Sequence, residues 1–558
     1  MLARYFHTLR HLRPVQIYGR LWFRLYRPHP DLRPAPPLRP GAGPWIAPPA
    51  GEPCLLGPNT FRFLNQTHIL AGPGDWNAPG VDKLWLYHLH YFDDLNTERA
   101  AERRDWHRAL IVRWIAENPP GHGNGWESYP LSLRIVNWLQ WARAGNPLEP
   151  AWMHSLTVQV RYLARRMEWH LLGNHLFANA KALAYAGLFF ADAEAECWLD
   201  AGLRVLDRQL PEQILPDGGH FERSPMYHAI LLKDVLDLLN LARVYPERVG
   251  ASRPARWCDA ASRMLGWLRV MTPPDGNLAL FNDAAFDIAP TLAKLADYAG
   301  RLGVPASPAA PSPPAPLPPG EREAQTLSPL TLLLDSGYAR LQSGPAVLLA
   351  DVGRIGPDYL PGHAHADTLS FELSLYGQRV VVNSGTSCYG ISSERQRQRG
   401  TAAHNTVTLD GQDSSEVWGG FRVARRARPV GLRWGEEVDG CWVECAHDGY
   451  QRLPGRPLHF RRWQLGVDGL NIHDRISGDC RHAIARYHLH PAVRVELNPD
   501  GHSGTLQLPS GAVITFYFNP GPARLITTTW HPRFGTSEAN RCLEIPFNGP
   551  EAQLSMRW

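Results

Sequence analysis

The sequence predicts a multidomain α+β protein in which an N-terminal α/α toroid, a ring of helical hairpins, precedes a C-terminal antiparallel β-sandwich. At 558 residues the chain exceeds the size at which a single hydrophobic core usually keeps growing. Its apolar residues recur at helical spacing in the first half and give way to short β-rich runs in the second. Residues 304–320, a low-complexity stretch rich in proline, separate the two patterns and are typical of a semi-rigid linker.

We therefore divide the chain into four segments. Residues 1–58 comprise a basic helix and a proline-rich arm, 59–303 form the toroid, 304–320 the linker, and 321–558 the β-sandwich. The first segment lacks the apolar core and small-residue cleavage site of a standard secretion signal. Its basic amphipathic helix is suited to lie on an anionic membrane surface or to pack against the main domain, and packing is the interpretation we favour.

The helical half is predicted from apolar residues at three- and four-residue spacing over ten or more positions. Short polar, Gly and Pro loops join these segments, as in antiparallel helix pairs. The segments are 106–118, 131–143, 154–172, 177–190 and 227–245. The second half contains runs joined by turn residues, which predict β-hairpins in a large sandwich. These hairpins are 339–353, 369–385, 459–478 and 505–518.

Composition excludes one class of partner and suggests another. A net charge of +4, without a recognisable basic motif, argues against nucleic acid. Nearly all the positive charge is Arg, which suits bidentate pairing with carboxylate or sulfate, although a GC-rich genome gives the same bias. The 20 Trp and 18 Tyr are enough to line a sugar groove, but most are expected in the core. The eight scattered Cys predict free thiols, and no apolar run is long enough to span a membrane, so we expect a soluble protein.

Polar residues that a fold alone does not require concentrate at a few loops. Three of these loops precede helices of the toroid, at 123–130, 173–176 and 217–228. Loops at one end of helical hairpins converge, so together they predict the wall of a cleft. The candidates in these loops are Trp126, Glu127, Asn174, His175, Glu222, Arg223 and Tyr227. Each has a structural alternative, such as a helix cap for Asn174 or a core position for Tyr227.

The second half contributes histidines in the segments 362–373 and 399–411. His363 and His365 alternate with Ala, so at strand spacing they point to one face, and His404 opens another strand. Paired imidazoles suggest either a zinc site or acid–base machinery, and packing or substrate binding is the alternative. Asn383 is the candidate for a third zinc ligand.

Six segments in this order resemble the heparinase II/III family. They are NGWESYPLSLRIVNW, GNHLFANAKAL, DGGHFERSPMYH, PPDGNLALFND, GHAHADTLSFEL and RGTAAHNTVTLDGQD. The resemblance covers roughly residues 80 to 430. It implies an α/α toroid and a β-sandwich with a cleft between them, and many members of the family are lyases that act on acidic polysaccharides.

The resemblance also implies residue roles. Tyr227 matches the family's catalytic tyrosine, His363 its catalytic histidine, and Asn174 or His175 the group that meets the uronate carboxylate. His365 and His404 match zinc ligands of some members. The third ligand in those members is Asp, where this chain has Asn383, a poor zinc ligand.

The chemistry of β-elimination is consistent with these residues. The reaction removes the proton at C5 of a uronate and expels the 4-O-linked sugar, so the carboxylate must be neutralised as charge develops. Asn174, His175 and an Arg such as Arg223 or Arg399 are suited to this. Tyr227 and His363 are the candidates for base and acid, and the sequence does not divide the two roles between them. The predicted substrate contacts are Trp126, Glu127, Glu222, Arg223, Arg399 and Asn405.

We therefore predict a polysaccharide lyase for uronic-acid-containing glycans, with a bacterial exopolysaccharide as the favoured substrate and zinc as a candidate cofactor. Three alternatives remain open. A uronyl C5-epimerase abstracts the same proton, an inverting hydrolase would use Glu127 and Glu222, and a non-catalytic protein would bind or assemble exopolysaccharide. Periplasm, cell envelope and cytoplasm are all compatible with the sequence.

Overall fold

The computed structural model describes residues 2–305 and 327–558. All but the first two residues of the predicted linker, 304–320, lie outside the described residues. One large hydrophobic core consists mainly of residues of the helical half, with a few from the sheets such as Leu333 and Trp530, and a second consists of residues of the sheets. The α/α toroid followed by antiparallel sheets is therefore confirmed.

Helices dominate the first half. They are α1 (Leu2–Leu9), α2 (Pro14–Leu25), α3 (Lys83–Tyr91), α4 (Arg104–Glu117), α5 (Ser128–Arg143), α6 (Pro150–Ala164), α7 (Gly173–Phe189), α8 (Ala193–Gln213), α9 (Pro225–Val244), α10 (Ser252–Val270) and α11 (Leu292–Arg301). Side-chain oxygens of Asp82, Asp192, Ser224 and Thr291 accept backbone N–H groups at helix starts. Within residues 2–305 and 327–558, no helix is both long and apolar enough to cross a bilayer.

Helix α7 is the central element of the toroid. It packs against α5, α8 and α9, and nearly all of its residues are buried. At Gly187 and Gly202 an added Cβ would lie 2.5 Å and 2.6 Å from backbone atoms of the neighbouring helix. These glycines therefore allow α7 and α8 to approach closely.

The five predicted helical segments all form helices, with one difference in length. The segment 154–172 was expected to be a single helix, but α6 ends at Ala164. The chain then turns, and Leu172 adopts φ 65° immediately before α7. This break lets α7 begin with Gly173, Asn174 and His175, beside Glu222.

The first segment wraps the helical half. Proline prevents regular structure in 28–53, where Leu38 makes a single bridge with Phe190. A small antiparallel sheet follows, formed by β1 (Leu55–Gly57), β2 (Thr60–Phe63) and β3 (Gln66–Ile69). The boundary expected at 58/59 falls inside this sheet.

Antiparallel sheets form the second half, and each of the four predicted hairpins is present. The strands are β4 (Leu330–Leu333), β5 (Tyr338–Ser343), β6 (Ala346–Asp351), β7 (Phe371–Leu375), β8 (Gln378–Val381), β9 (Val407–Leu409), β10 (Val417–Trp418), β11 (Arg422–Val423), β12 (Pro429–Glu437), β13 (Gly440–His447), β14 (Leu458–Gly466), β15 (Gly469–Ser477), β16 (Ala483–His488), β17 (Arg494–Leu497), β18 (Ser503–Gln507), β19 (Val513–Asn519), β20 (Arg524–Trp530), β21 (Glu538–Phe547) and β22 (Glu551–Arg557). A helix, α12 (Ser393–Arg399), lies between β8 and β9.

Three sheets carry most of this half. Their strand orders are β4-β5-β6-β7-β8, β20-β21-β16-β9 and β12-β13-β14-β15-β22-β19-β18-β17. Residues alternate between buried and partly exposed along β14, as expected for a sheet with one face on the core.

The loop between α10 and α11 joins the helical half to the sheets. The Leu280 N–H donates to Glu372 at 3.0 Å, and the Asn282 N–H donates to Asp367 at 3.1 Å. The next residue, Asp283, donates its backbone N–H to the carbonyl of His363 at 3.0 Å. These hydrogen bonds hold one acidic side chain of the helical half against the histidines of the other half.

Candidate active site

The candidate site lies where the starts of α7 and α9 meet the loops that precede β7 and follow β8. Tyr227, in the first turn of α9, stacks its ring on the imidazole of His363 with 3.8 Å between ring centroids. Ser224 caps this helix and also donates its hydroxyl to the carbonyl of Asp283 at 2.5 Å. Tyr227, His363 and Asp283 are therefore held together by elements from both halves.

Asp283 is the electrostatic centre of the site. Its fully buried carboxylate contacts His363 Nδ1 at 2.9 Å and His365 Nε2 at 2.8 Å, and it forms a two-point ion pair with Arg395. Burial alone would raise the pKa of Asp283, but the Arg395 guanidinium and the two imidazoles hold it well below its usual range. An ionised carboxylate only accepts hydrogen bonds, so it orients the proton of each imidazole toward itself.

This orientation leaves His363 with one nitrogen for chemistry. Its Nδ1 carries the proton donated to Asp283, so in the neutral ring Nε2 presents the lone pair. The Nε2 atom lies 3.6 Å from Oε2 of Glu222, and the imidazole side chain is 13% exposed. Burial raises the pKa of Glu222, which the neighbouring His363 and His175 only partly offset. A basic imidazole nitrogen therefore lies beside a carboxyl group that retains its proton more readily than usual.

The Tyr227 hydroxyl is paired with a second phenol. It lies 2.9 Å from the hydroxyl of Tyr389, whose ring packs against Phe421 and Phe534. Burial raises the pKa of Tyr227 well above its usual value, and Tyr389 and Asp283 raise it further. The environment thus favours the protonated phenol, which suits a proton donor better than a base.

The start of α7 contributes the remaining polar groups. His175 stacks near Tyr129, with 4.4 Å between ring centroids, and its Nδ1 forms an ion pair with Glu168 at 3.2 Å. Burial would lower the pKa of His175, but Glu168 outweighs it and the pKa is raised. Asn174, beside it, is partly exposed. A carboxylate entering here would meet an imidazolium and an amide.

Glycine at position 173 is required by this geometry. Gly173 has φ +53°, and a Cβ there would lie 2.5 Å from Leu360 Cδ2 and 2.9 Å from Oε1 of Glu222. Only glycine therefore lets the start of α7 approach Glu222 this closely.

The residues expected to bind zinc do not fit that ion. His404 Nδ1 lies 3.3 Å from the Asn383 amide oxygen, which already accepts the Ser370 hydroxyl at 2.6 Å. His365 is bonded to Asp283, whose charge is balanced by the buried Arg395 guanidinium. Across the described residues, no group of three His, Cys, Asp or Glu side chains is arranged to hold a metal. The positive charge beside the carboxylate comes from arginine, and we assign zinc no step in the chemistry.

Five predicted substrate contacts lie outside this cluster. Trp126 is a core residue whose indole donates to the Asn118 carbonyl. Asn405 and Arg399 are fully buried and bonded to backbone groups, so both support loops. Arg223 donates to the carbonyls of Asp335 and Arg354 and joins the two halves. Glu127 pairs with Lys83 and Tyr87 at the protein surface. We therefore withdraw the substrate contacts expected of Trp126, Asn405, Arg399 and Arg223.

The strand-spacing prediction for the histidines was wrong. His363 and His365 lie in a loop before β7, and β9 begins only at Val407, after His404. The two histidines still converge, because both reach the same carboxylate.

Three central residues escaped the sequence prediction: Asp283, Tyr389 and Arg395. Asp283 lies in the quoted segment PPDGNLALFND, which offered a signal, whereas Tyr389 and Arg395 lie in loops and a short helix without one. All three enter the site only through tertiary packing.

Comparisons with known protein families cover both halves of the chain. The model described as Heparinase II/III N-terminus matches residues 97–299, and the model described as Heparinase II/III-like, C-terminal, matches residues 325–558.

Individual relatives are more distant. FtsZ-localized protein C of Caulobacter vibrioides is 28% identical over 357 residues, which are 60% of this chain and 56% of that protein. Heparin-sulfate lyase of Bacteroides stercoris is 28% identical over 258 residues, 44% of this chain and 37% of the lyase. The matches thus span less than two thirds of either relative.

A crystal structure of Heparinase III has the same fold. It superposes with a TM-score of 0.67 at 20% identity, covering 84% of this chain and 76% of that one.

Proposed function

This chain belongs to the heparinase II/III family, and we propose that it is a polysaccharide lyase that cleaves uronic-acid-containing glycans by β-elimination. The observation that carries the proposal is the arrangement of Asp283, His363 and Tyr227. In this arrangement the His363 imidazole, hydrogen-bonded to Asp283, stacks on the Tyr227 ring at the junction of the two halves. Asn174 and His175 at the start of α7 supply groups for a carboxylate.

Recognition of the uronate carboxylate is the first step of the proposed reaction. His175 has a raised pKa and therefore holds its positive charge to higher pH than an ordinary histidine. Its charge and the Asn174 amide would withdraw electrons from the carboxylate, which stabilises the carbanion-like state at C5. The proton at C5 becomes more acidic as a result.

Proton transfer is then divided between two residues. His363 Nε2 takes the C5 proton, and Asp283 stabilises the imidazolium that forms. Tyr227 donates its hydroxyl proton to the O4 atom as the bond from C4 to O4 breaks, leaving a double bond between C4 and C5. Positioned proton transfer of this kind contributes typically about 10²–10⁴ in rate.

Residues behind the reacting groups keep them in place. Arg395 neutralises Asp283 and prevents it from taking a proton itself. Tyr389 receives or donates a hydrogen bond at the Tyr227 hydroxyl and provides the route by which Tyr227 regains a proton. Both are positioning residues in this scheme.

The substrate is proposed at the level of a polymer class. The matched Bacteroides protein is named a heparin-sulfate lyase, which favours a sulfated glycosaminoglycan, and an acidic bacterial exopolysaccharide has the same carboxylate chemistry. A panel should therefore contain heparan sulfate, hyaluronan, chondroitin sulfate, alginate and purified bacterial exopolysaccharides.

The test measures the ultraviolet absorbance of the unsaturated uronate during incubation of the full chain with this panel. We expect absorbance to rise with at least one glycan, to be lost in Tyr227→Phe and His363→Asn, and to persist in Tyr376→Phe, which changes an exposed tyrosine. A rise of equal rate in Tyr227→Phe would refute the assignment of the donor.

The remaining candidates give different results in the same experiment. An epimerase would leave absorbance flat and change the C5 configuration seen by NMR. A hydrolase would create reducing ends without absorbance and would depend on Glu127 and Glu222. A relative is named FtsZ-localized protein C, a name that describes no enzyme activity, so a non-catalytic binding protein is the third candidate. Binding of a glycan without its turnover would favour that candidate.

A further inference from the structure

The first two helices present an apolar surface to solvent. Nine of the 25 exposed large apolar side chains in the described chain lie within residues 2–25. They are Leu2, Tyr5, Phe6, Leu9, Ile17, Tyr18, Leu21, Trp22 and Leu25. Monomeric proteins rarely concentrate such side chains unless the surface binds something.

The exposed face of α2 is continuous. Ile17, Leu21 and Leu25 follow one another at four-residue spacing, and Tyr18 and Trp22 lie beside them. Their exposed fractions run from 53% for Ile17 to 83% for Leu25. The opposite face is the one that packs.

That inner face is firmly attached to the rest of the protein. Gln16 is buried and donates its amide to the Tyr359 carbonyl at 3.0 Å, and Phe23 packs on His170 with 4.2 Å between ring centroids. In α1, Thr8 accepts a hydrogen bond from the Trp418 indole at 3.2 Å. We expected the N-terminal helix to pack against the main domain, and this describes only the inner side of α1 and α2. The packing of the inner side holds the exposed apolar side chains of the outer side in place.

The charge of this segment is entirely positive. Six Arg and no Asp or Glu occur in residues 1–30. Arg20 and Arg24 lie on the helix edge beside the apolar stripe, and Arg422 adds a third positive charge near Arg20. A second copy of this chain would bring the same positive face and be repelled, whereas an anionic surface complements it.

We propose that α1 and α2 form a docking surface for an anionic lipid bilayer, on which the enzyme lies without spanning it. Exposed Leu and Trp side chains enter the boundary between headgroups and acyl chains, and the arginines contact the anionic headgroups. An acidic glycan would use the arginines and the rings of Tyr18 and Trp22, but it would leave the aliphatic side chains of Ile17, Leu21 and Leu25 in water. The surface therefore matches lipid better than the substrate polymer.

Flotation of the full chain with vesicles tests the proposal. We expect it to float with phosphatidylcholine vesicles that contain phosphatidylglycerol, much less with phosphatidylcholine alone, and less at about 1 M salt, where screening shortens charge interactions to about 3 Å. A triple variant, Leu21→Ser, Trp22→Ser and Leu25→Ser, should bind about 100-fold more weakly.

Matched variants separate this surface from general effects. Ile391→Ser, Val438→Ser and Val467→Ser remove exposed apolar side chains elsewhere and should leave binding unchanged. Unaltered thermal unfolding of both triple variants establishes that the fold is intact.

The charge is tested in the same way. Arg27 is exposed just after the end of α2, and a triple variant, Arg20→Gln, Arg24→Gln and Arg27→Gln, should weaken binding about 100-fold at low salt. The exposed arginines changed in Arg433→Gln, Arg494→Gln and Arg524→Gln serve as the control.

Two results would overturn the proposal. One is equal flotation with neutral and anionic vesicles, or none with either. The other is self-association of the full chain that the apolar triple variant abolishes, which would assign the surface to a second copy.

Discussion

Replacement of Asp283 by Asn tests the electrostatic core of the site most directly. The carboxylate is fully buried and faces the Arg395 guanidinium and two imidazoles, and it also accepts the Thr386 hydroxyl at 3.3 Å. An amide keeps the shape but loses the charge, and its NH₂ group must face a donor. Breaking one partner of a buried ion pair costs about 3–5 kcal/mol, and we expect a loss of this size in the free energy of unfolding.

The catalytic effect should be equally large. Without the carboxylate, His363 loses both its preferred tautomer and the charge that stabilises its protonated form. We expect kcat for Asp283→Asn to fall by about 10²–10⁴, with a smaller change in KM because the Asp283 side chain is fully buried. Urea unfolding gives the stability, and the rate of rise in ultraviolet absorbance on the glycan identified by the panel gives kcat.

A second buried aspartate provides the control. Burial raises the pKa of Asp367 to about 6, so this carboxylate is easier to neutralise than that of Asp283, and an amide oxygen at the same position still accepts the Asn282 N–H. Asp367→Asn should lose only about 1 kcal/mol and keep its activity. If Asp283→Asn retained kcat within about tenfold, or if both variants lost activity equally, the assignment of Asp283 as the orienting group would be wrong.

The pH dependence of stability has a defined sign for Asp283. Its pKa is depressed in the folded state, so its contribution is present above the unfolded value of about 3.9 and is lost as pH falls through the folded value. The wild-type protein should therefore lose this part of its stability only in strong acid. In Asp283→Asn the difference from wild type should shrink as pH decreases, which urea unfolding at a series of pH values measures.

Three further predictions concern the start of α7 and the metal. Because the pKa of His175 is raised above its usual value of about 6.5, its positive charge persists to higher pH than that of an ordinary histidine and is lost as pH rises through the folded value. KM should increase over that range in the wild type and stay flat in His175→Gln. Gly173→Ala should lower the free energy of unfolding, measured in urea, by about 1–3 kcal/mol. The control is Gly276→Ala, because Gly276 also has a positive φ, +80°, but has no heavy atom within 4 Å of the added Cβ, and we expect a smaller loss there. Equal losses in the two variants would show that the contact with Glu222 contributes nothing. Asn383→Asp should raise the zinc content of the purified protein, measured by elemental analysis, because carboxylate is a better zinc ligand than amide. Wild-type protein already saturated with zinc would contradict the conclusion that His365, Asn383 and His404 do not fit this ion.

The spacing of apolar residues and the positions of turn residues in the sequence determined most of the architecture. Helical spacing before the linker and hairpins after it predicted the two halves, because these patterns depend on neighbours a few residues apart. The failure at 154–172 has a local cause that spacing does not reveal. An apolar run continues through the segment, but the chain must turn after Ala164 to bring Gly173 beside Glu222.

The candidate site was only partly accessible to the same reasoning. Tyr227, His363, Asn174 and His175 came from ordered segments that resemble a family, and the structure brings Tyr227 and His363 into ring contact. The contacts expected of Asn405 and Arg399 did not arise, because both side chains are fully buried and bonded to backbone. The residue type alone does not show whether a polar side chain binds substrate or holds a loop in place through hydrogen bonds to the backbone.

Tertiary structure alone decided the charge balance. Asp283 and Arg395 are 112 residues apart, and they meet only because the loop after α10 is hydrogen-bonded into the second half. That ion pair keeps Asp283 ionised, so the hydrogen bond from His363 to Asp283 determines which nitrogen of His363 is free, and Arg395 supplies the positive charge next to the carboxylate. Sequence patterns report which residues are near in the chain, whereas a proton's position depends on charges brought together through space, and those follow from the packed structure.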